Sequence, residues 1–79
     1  APVHILILPR KPIAQLSTSS DEDEQVLGHL LVVARKLAKI HAKGNGFRIV
    51  INDGCHGGQS VYYLHVHLLA GRQLTWPPG

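Results

Sequence analysis

One long segment with helical periodicity constrains the fold more than any other feature of this chain. Apolar side chains recur there at spacings of three and four residues, which predicts an amphipathic helix with one buried stripe. The stripe consists of Val26, Leu27, Leu30, Leu31, Ala34, Leu37, Ala38 and His41. A helix of this kind buries its stripe against another layer of secondary structure. The rest of the chain must therefore supply that layer.

The sequence also predicts where this helix begins and ends. Ser20 is a favourable N-cap, and the acidic run Asp21 to Glu24 that follows it complements the positive end of a helix dipole. Asp23 stands where a capping box prefers Glu or Gln, so the predicted box is imperfect. Gly44 suits a left-handed stop. We expect the helix to run from just after Ser20 to about Lys43, with the acidic run as its start.

Three segments read as strands. They are Val3–Leu8, which lies between two prolines, Gly46–Asn52, and Ser60–Leu69. A glycine-rich loop, Asp53–Gln59, joins the last two, and the tail Ala70–Gly79 is too rich in proline and glycine for a regular element. This order predicts one α+β domain that ends in an antiparallel pair of strands.

Composition narrows the possible functions. The formal net charge is +3, and four of the five acids are consecutive, so the remainder of the chain is basic and suits an anionic partner. With only four aromatic residues, the sequence shows no nucleic-acid-binding face, and a small phosphate-bearing ligand fits better. No apolar run approaches the roughly 20 residues of a membrane span. The single cysteine excludes an internal disulfide.

Two histidines lie close together in the third predicted strand. Because strand residues alternate between faces, Tyr63, His65 and His67 project to one side. The pattern fits a functional face, and it equally fits an exposed face that tolerates polar side chains. A zinc site would need further ligands. The nearest candidates for those ligands are His4, Cys55 and His56.

The loop before this strand contains three glycines, Gly54, Gly57 and Gly58. Glycines let backbone N–H groups approach a phosphate closely, and Ser60 adds a hydroxyl donor. A flexible hairpin connection would use glycine as well. The position of the loop, directly before the histidines, favours the phosphate-binding interpretation.

Several motifs together resemble one known family. They are Ala1–His4, Leu8–Ile13, Leu27–Leu30, Asn52–Gly54, Gly57–Tyr62, His65–Leu69 and the ending Gly71–Gly79. The chain resembles the histidine triad (HIT) superfamily, in the branch of the histidine triad nucleotide-binding proteins, which are purine nucleoside phosphoramidases. The likeness extends over all 79 residues. It implies a HIT-like fold, in which an antiparallel sheet and a long helix are completed by dimerisation.

The resemblance also implies roles for individual residues. His65 takes the place of the nucleophile that forms a nucleotidyl-histidine, and His67 contacts the phosphate. The other implied nucleotide- and phosphate-binding residues are Asn52, Gly58, Gln59 and Ser60. His4 borders the implied site, although a histidine at a strand start with no role would explain it about as well. Trp76 reaches toward the site of a partner subunit, and the alternative for it is simple packing of the tail. No cofactor or metal is implied.

The chain departs from the family pattern in two respects. The family motif begins with a histidine where this chain has Tyr63, and we expect a tyrosine hydroxyl to fill the orienting role of that histidine only in part. Restoring a histidine there should then raise turnover. The N-terminal segment that completes the base and ribose pocket in the family is also absent, so residues 1–79 resemble the C-terminal portion of a HIT domain. Both departures favour an alternative function, an impaired nucleotide-binding or protein-interaction module.

The resemblance implies partners as well. They are a purine nucleotide, such as AMP or an adenosine phosphoramidate, and a second copy of the chain, with neither nucleic acid nor membrane involved. An intracellular location, cytoplasmic or mitochondrial, is implied too. The small size of the domain predicts association independently, because a core of this size is marginal. We expect the helix and the tail containing Trp76 to lie at the two-fold axis.

Overall fold

The computed structural model describes all 79 residues and contains one sheet and one long helix. The strands are β1 (Val3–Ile7), β2 (Arg48–Val50) and β3 (Val66–Ala70), and the helix is α1 (Glu24–His41). Both neighbours of β3 pair with it antiparallel, in the order β1-β3-β2. The α+β class and the terminal antiparallel pair expected from the sequence are confirmed.

The two faces of the sheet differ in what covers them. The face carrying Ile7, Val66 and Leu68 forms the core with α1, and Val66 and Leu68 are fully buried there. The register pairs His4 with Leu69 and Leu6 with His67, which puts these four side chains on the opposite face. No helix covers that opposite face, so its histidines stay accessible.

The acidic run starts the helix, as expected, but its first turn is tighter than an α-helix. Asp21–Asp23 form a 3₁₀ turn, and α1 begins at Glu24. The capping box does form, because the Asp23 carboxylate accepts a hydrogen bond from the Ser20 backbone N–H at 3.0 Å. The same carboxylate pairs with the Lys11 ammonium. An aspartate suffices here because the tight turn brings its short side chain within reach.

The helix ends earlier than predicted, at His41 rather than near Lys43. The left-handed conformation that ends it starts at Lys43, with φ 53°, and continues into Gly44. The buried stripe is also narrower than expected. Leu30, Ala34 and Ala38 are buried, whereas Leu31 and His41 are exposed. Val26, Leu27, Val33 and Leu37 also pack against the core, but they are only partly buried.

The predicted strands are too long, most clearly the third, which begins at Val66 and not at Ser60. Continuing the register beyond the Ile7–Val66 pair would place Leu8 opposite His65 and Pro9 opposite Leu64. Proline has no N–H to donate to a ladder, so pairing with β1 stops there. The first strand ends at Ile7 rather than Leu8, and the second is reduced to Arg48–Val50. No helix in the structure is both long and apolar enough to cross a membrane.

Candidate functional site

Three imidazole rings meet on the open face of the sheet. His67 lies at the centre, with its ring centroid 5.1 Å from that of His4 and 4.9 Å from that of His65. His4 Nε2 and His67 Nδ1 are 2.9 Å apart, within hydrogen-bonding distance. The chain therefore has three clustered histidines, although Tyr63 interrupts the triad in the sequence. The third ring comes from β1 through the β1–β3 pairing.

The hydrogen bonds of the cluster determine which ring nitrogens carry protons. His65 Nδ1 lies 2.7 Å from the Tyr63 carbonyl oxygen, which only accepts, so we assign the proton to Nδ1. In neutral His65, Nε2 then has a free lone pair. If His4 donates to His67 Nδ1, the proton of neutral His67 is on Nε2. The arrangement places the free lone pair of His65 Nε2 beside the His67 ring, whose Nε2–H is a hydrogen-bond donor.

The surroundings of His67 favour its neutral form. Partial burial lowers its pKa below the usual 6.5, because desolvation penalises the charged ring, and repulsion from His65 and His4 lowers it further. His67 is therefore mostly neutral at neutral pH. A neutral ring offers one N–H that donates a hydrogen bond and one lone pair that can accept a proton.

The Tyr63 hydroxyl does not orient His65, so the expectation that it would replace the missing histidine in this way is wrong. It donates to the carbonyl oxygen of Pro9 at 2.6 Å and lies 3.2 Å from that of Arg10. Tyr63 ties the chain after β1 to the segment before β3. The atom that orients His65 is the backbone carbonyl of Tyr63, which is independent of the side chain.

Gln59 is an internal anchor of the glycine-rich loop. Its side chain is buried, accepts from the Gly54 N–H, and donates to the carbonyls of Ala14 and Val61. All three bonds are between 2.9 and 3.1 Å. The amide is thus fully engaged within the protein. The expected role of Gln59 in lining a phosphate does not extend to its side chain in this structure.

The other predicted loop residues hold the turn together as well. Asn52 Nδ2 donates to the Gly57 carbonyl at 2.7 Å, which leaves the Oδ1 of Asn52 free. A Cβ at Gly57 would lie 2.2 Å from the backbone oxygen of Asp53, so only glycine fits this close approach. The N–H of Gly58 is bonded to the Cys55 carbonyl. Gly57 and Gly58 therefore have structural roles in the turn.

Ser60 differs from Asn52, Gly58 and Gln59, the other residues predicted to bind phosphate, because it has no hydrogen-bond partner within the chain. It is exposed, and neither its N–H nor its hydroxyl makes an internal hydrogen bond. Asp53 ties the start of the loop to the rest of the fold, since its carboxylate accepts from the Ser17 N–H at 2.8 Å. That bond lowers the pKa of Asp53 below its usual value and keeps it charged. Ser60 is thus the available phosphate donor on a firmly anchored loop.

The remaining predicted site residues lie outside the cluster. Trp76 is 78% exposed, and the Arg48 guanidinium lies 5.7 Å from its ring centroid, a cation–π distance. Cys55 and His56 are both exposed on the loop. The structure contains no group of three or more His, Cys, Asp or Glu side chains arranged to hold a metal ion. Of the candidate zinc ligands, His4 lies in the histidine cluster, whereas Cys55 and His56 lie on the exposed loop.

Two residues that support the site cannot be identified from the sequence. The carbonyls of Pro9 and Ala14 accept hydrogen bonds from Tyr63 and Gln59. His4 does have a sequence signal, because it is a single histidine in an otherwise apolar strand. Backbone carbonyls carry no sequence signal, since every residue has one.

Comparison with known proteins agrees with this geometry. The HIT domain family matches residues 1–74. An uncharacterized HIT-like protein of Synechocystis is 51% identical over 79 residues, which are all of this chain and 69% of that protein. The chain belongs to the HIT domain family.

Solved structures show the same fold. A HIT family hydrolase from Legionella pneumophila superimposes with a TM-score of 0.95 at 48% identity, over 100% of this chain and 71% of that one. A histidine triad protein from Clostridium difficile gives 0.90 at 41% identity, over 95% and 66% respectively. The fold of this chain is therefore that of HIT family hydrolases.

Proposed function

We propose that this chain is a purine nucleoside phosphoramidase that works through a nucleotidyl-histidine on His65. The observation that carries the proposal is the hydrogen bond from His65 Nδ1 to the Tyr63 carbonyl, beside the His67 ring. This bond leaves Nε2 as a lone-pair nucleophile. It also stabilises the positive charge that the ring gains when Nε2 attacks. The hydrolase neighbours support the reaction class, and the purine nucleoside rests on the sequence resemblance.

In the first step, His65 Nε2 attacks the α-phosphorus of the phosphoramidate. A bond forms between Nε2 and phosphorus, and the bond between phosphorus and the amine breaks. The departing amine takes a proton from His67 Nε2, and the His67–His4 pair can supply it because the pair starts this step with one proton more than its neutral form. His4 can return a proton to His67, because its Nε2 lies 2.9 Å from His67 Nδ1. Ser60 donates to the phosphate oxygens, since its donors are not used by the protein.

In the second step, water attacks the nucleotidyl-histidine. The bond between His65 Nε2 and phosphorus breaks, the nucleotide leaves, and the water gives up a proton to the His67–His4 pair. His65 returns to its starting state with the proton still on Nδ1. The lowered pKa of His67 favours proton transfer from its ring to the amine, and the ring then takes a proton from the attacking water.

The test is turnover of adenosine 5′-phosphoramidate, measured as release of amine and AMP. His65→Ala should lose at least about a thousandfold in rate, since the covalent step has no other nucleophile. His29→Ala is the matched control, because His29 is exposed on α1 and should leave the rate unchanged. Equal rates in the wild type and His65→Ala would contradict the assignment. No turnover in any of the three would favour the alternative, a nucleotide-binding module.

We also propose that the chain acts as a homodimer. Large apolar side chains stand exposed on α1 and in the tail, including Leu31 at 49%, Ile40 at 66% and Trp76 at 78%. A groove beside Leu31 is lined by Leu16, Leu27 and Ile51. Exposed apolar surface of this extent is typical of an interface. A second copy, packed on the helix, would bury it.

A further inference from the structure

A second large cavity lies beyond the C-terminal end of β3, on the side of the sheet where α1 ends. Its volume is about 710 Å³, and it forms where the end of α1, the turn into β2 and the residues after β3 meet. None of the clustered histidines lines it. His41 and Ala42, at the end of α1, line the cavity, whereas the histidine cluster lies on the face of the sheet that no helix covers. The cavity is therefore separate from the proposed active site.

Three cationic side chains line this cavity: Lys43, Arg48 and Arg72. No Asp or Glu lines it, and the one salt bridge in the structure joins Lys11 to Asp23, so none of the three cations has an acidic partner. Like charges around one cavity repel each other, and a bound anion relieves that repulsion. The cavity is thus electrostatically suited to an anion.

The three cations come from separate parts of the chain. A favourable interaction with the end of α1 therefore does not explain all three. A cation such as Lys43 suits the negative end of a helix dipole, but Arg48 lies in β2 and Arg72 follows β3. Lys43 itself adopts φ 53°, a conformation that favours glycine or asparagine over lysine. The acidic run lies at the other end of α1, about 27 Å away for an 18-residue helix. The fold therefore concentrates positive charge at this end.

We propose that this cavity binds a polyphosphorylated anion, either an inorganic polyphosphate or the phosphate chain of a nucleotide. Three cations match the charge of a di- or triphosphate better than that of a monophosphate. Arginine guanidinium groups bind phosphate oxygens in pairs, which gives the site geometry as well as charge. Phe47, 48% exposed at the cavity, offers an aromatic face to a nucleobase. This site is independent of the function proposed for His65.

The experiment is a titration of the full chain with inorganic tripolyphosphate, followed by calorimetry and by NMR shifts of the backbone amides. We expect one site, with the largest shifts at Gly46, Gly71 and Arg72. Lys43→Gln and Arg72→Gln should each weaken binding by about threefold to fivefold, as expected for loss of one exposed ion pair. Lys36→Gln is the matched control, because it removes one exposed positive charge on α1 away from the cavity.

Three results would overturn the proposal. One is no binding of tripolyphosphate at millimolar concentration in low salt. Another is equal weakening by Lys36→Gln, which would show attraction to net charge alone. The third is a shift map centred on His65 and Ser60, which would place the anion at the proposed active site. Parallel titrations with ATP and AMP identify the source, since tighter binding of ATP than of tripolyphosphate assigns the nucleoside a part in recognition.

Discussion

At the scale of single residues, His65 is oriented by the backbone carbonyl of Tyr63 and not by the Tyr63 side chain. Its Nδ1 is bonded to the Tyr63 carbonyl, while the Tyr63 hydroxyl is bonded to Pro9. A side-chain change at position 63 leaves the carbonyl in place. Tyr63 therefore contributes chiefly to stability, and its departure from the family motif does not by itself disable the nucleophile.

Replacing Tyr63 with histidine tests this separation. Tyr63→His should leave phosphoramidate turnover close to that of the wild type and should lower the free energy of unfolding by roughly 1 kcal/mol, because the hydrogen bond to Pro9 is lost. Tyr63→Phe is the control, since it removes the same hydroxyl without adding an imidazole. Turnover that rises in Tyr63→His but not in Tyr63→Phe would restore the original expectation of an impaired site. Rates and urea midpoints measure the two effects.

Gln59 and Ser60 are adjacent but have opposite roles. Gln59→Leu should destabilise the fold by about 1–3 kcal/mol, because it removes the hydrogen bonds that the buried Gln59 amide makes to Gly54, Ala14 and Val61. Ser60→Ala should leave stability unchanged and should slow turnover by about tenfold or more, because Ser60 has no partner in the protein. Urea denaturation and phosphoramidate kinetics on both variants provide the comparison. A Ser60→Ala variant with full activity would remove Ser60 from the proposed phosphate contacts.

At the scale of elements, the start of α1 is tied to the chain after β1. The Lys11 ammonium and the Ser20 N–H both bond the Asp23 carboxylate, which is 5% exposed. These bonds lower the pKa of Asp23 below its ordinary value of 3.8. The acidic run therefore does more than interact favourably with the helix dipole. Its member Asp23 also connects the start of α1 to the chain after β1.

The stability that Asp23 provides should depend on pH. Its pKa is lower in the folded state than in the unfolded state, so its contribution is complete above 3.8 and is lost as pH falls through the folded-state pKa. Asp23→Asn should therefore lower the urea midpoint at pH 7, and the difference from the wild type should shrink near pH 3. Asp21→Asn is the control, because Asp21 is exposed and makes no side-chain hydrogen bond. A difference that does not change with pH would contradict this role for Asp23.

At the scale of the whole molecule, the core is small and much apolar surface remains outside it. Only 13 of 79 residues are buried, and Leu31 and Trp76 are among the exposed apolar residues. A domain this small gains stability when a second copy covers such surface. Association and folding should therefore reinforce each other.

Sedimentation at micromolar concentration should find a dimer. Leu31→Glu should weaken association, because it places a charge in the apolar surface of α1. Gln25→Glu is the matched control, since it adds one negative charge at another exposed position of the same helix. A chain ending at Thr75 tests the tail. A wild-type chain that stays monomeric would refute the dimer, and an unchanged association after truncation would refute the part played by Trp76.

The sequence by itself determined the elements of this protein and their order. Helical spacing from Val26 to Ala38, and strand alternation around His65 and His67, are local periodicities, so they can be read without knowing the fold. The class and the position of the acidic run followed from the same local rules. The ends of the elements did not follow, because Pro9, a residue distant in sequence, stops the ladder before Val66.

Only the tertiary structure decided which side chains meet. The β1–β3 register brings His4 to His67 across 63 positions, and the packing of the loop buries Gln59 against Ala14. The same packing places the Tyr63 hydroxyl within hydrogen-bonding distance of the Pro9 carbonyl. It leaves Ser60 without a hydrogen-bond partner in the chain. These contacts depend on strand register and on backbone carbonyls. Neither can be read from the identity of a residue, because every residue carries a backbone carbonyl and register depends on the partner strand.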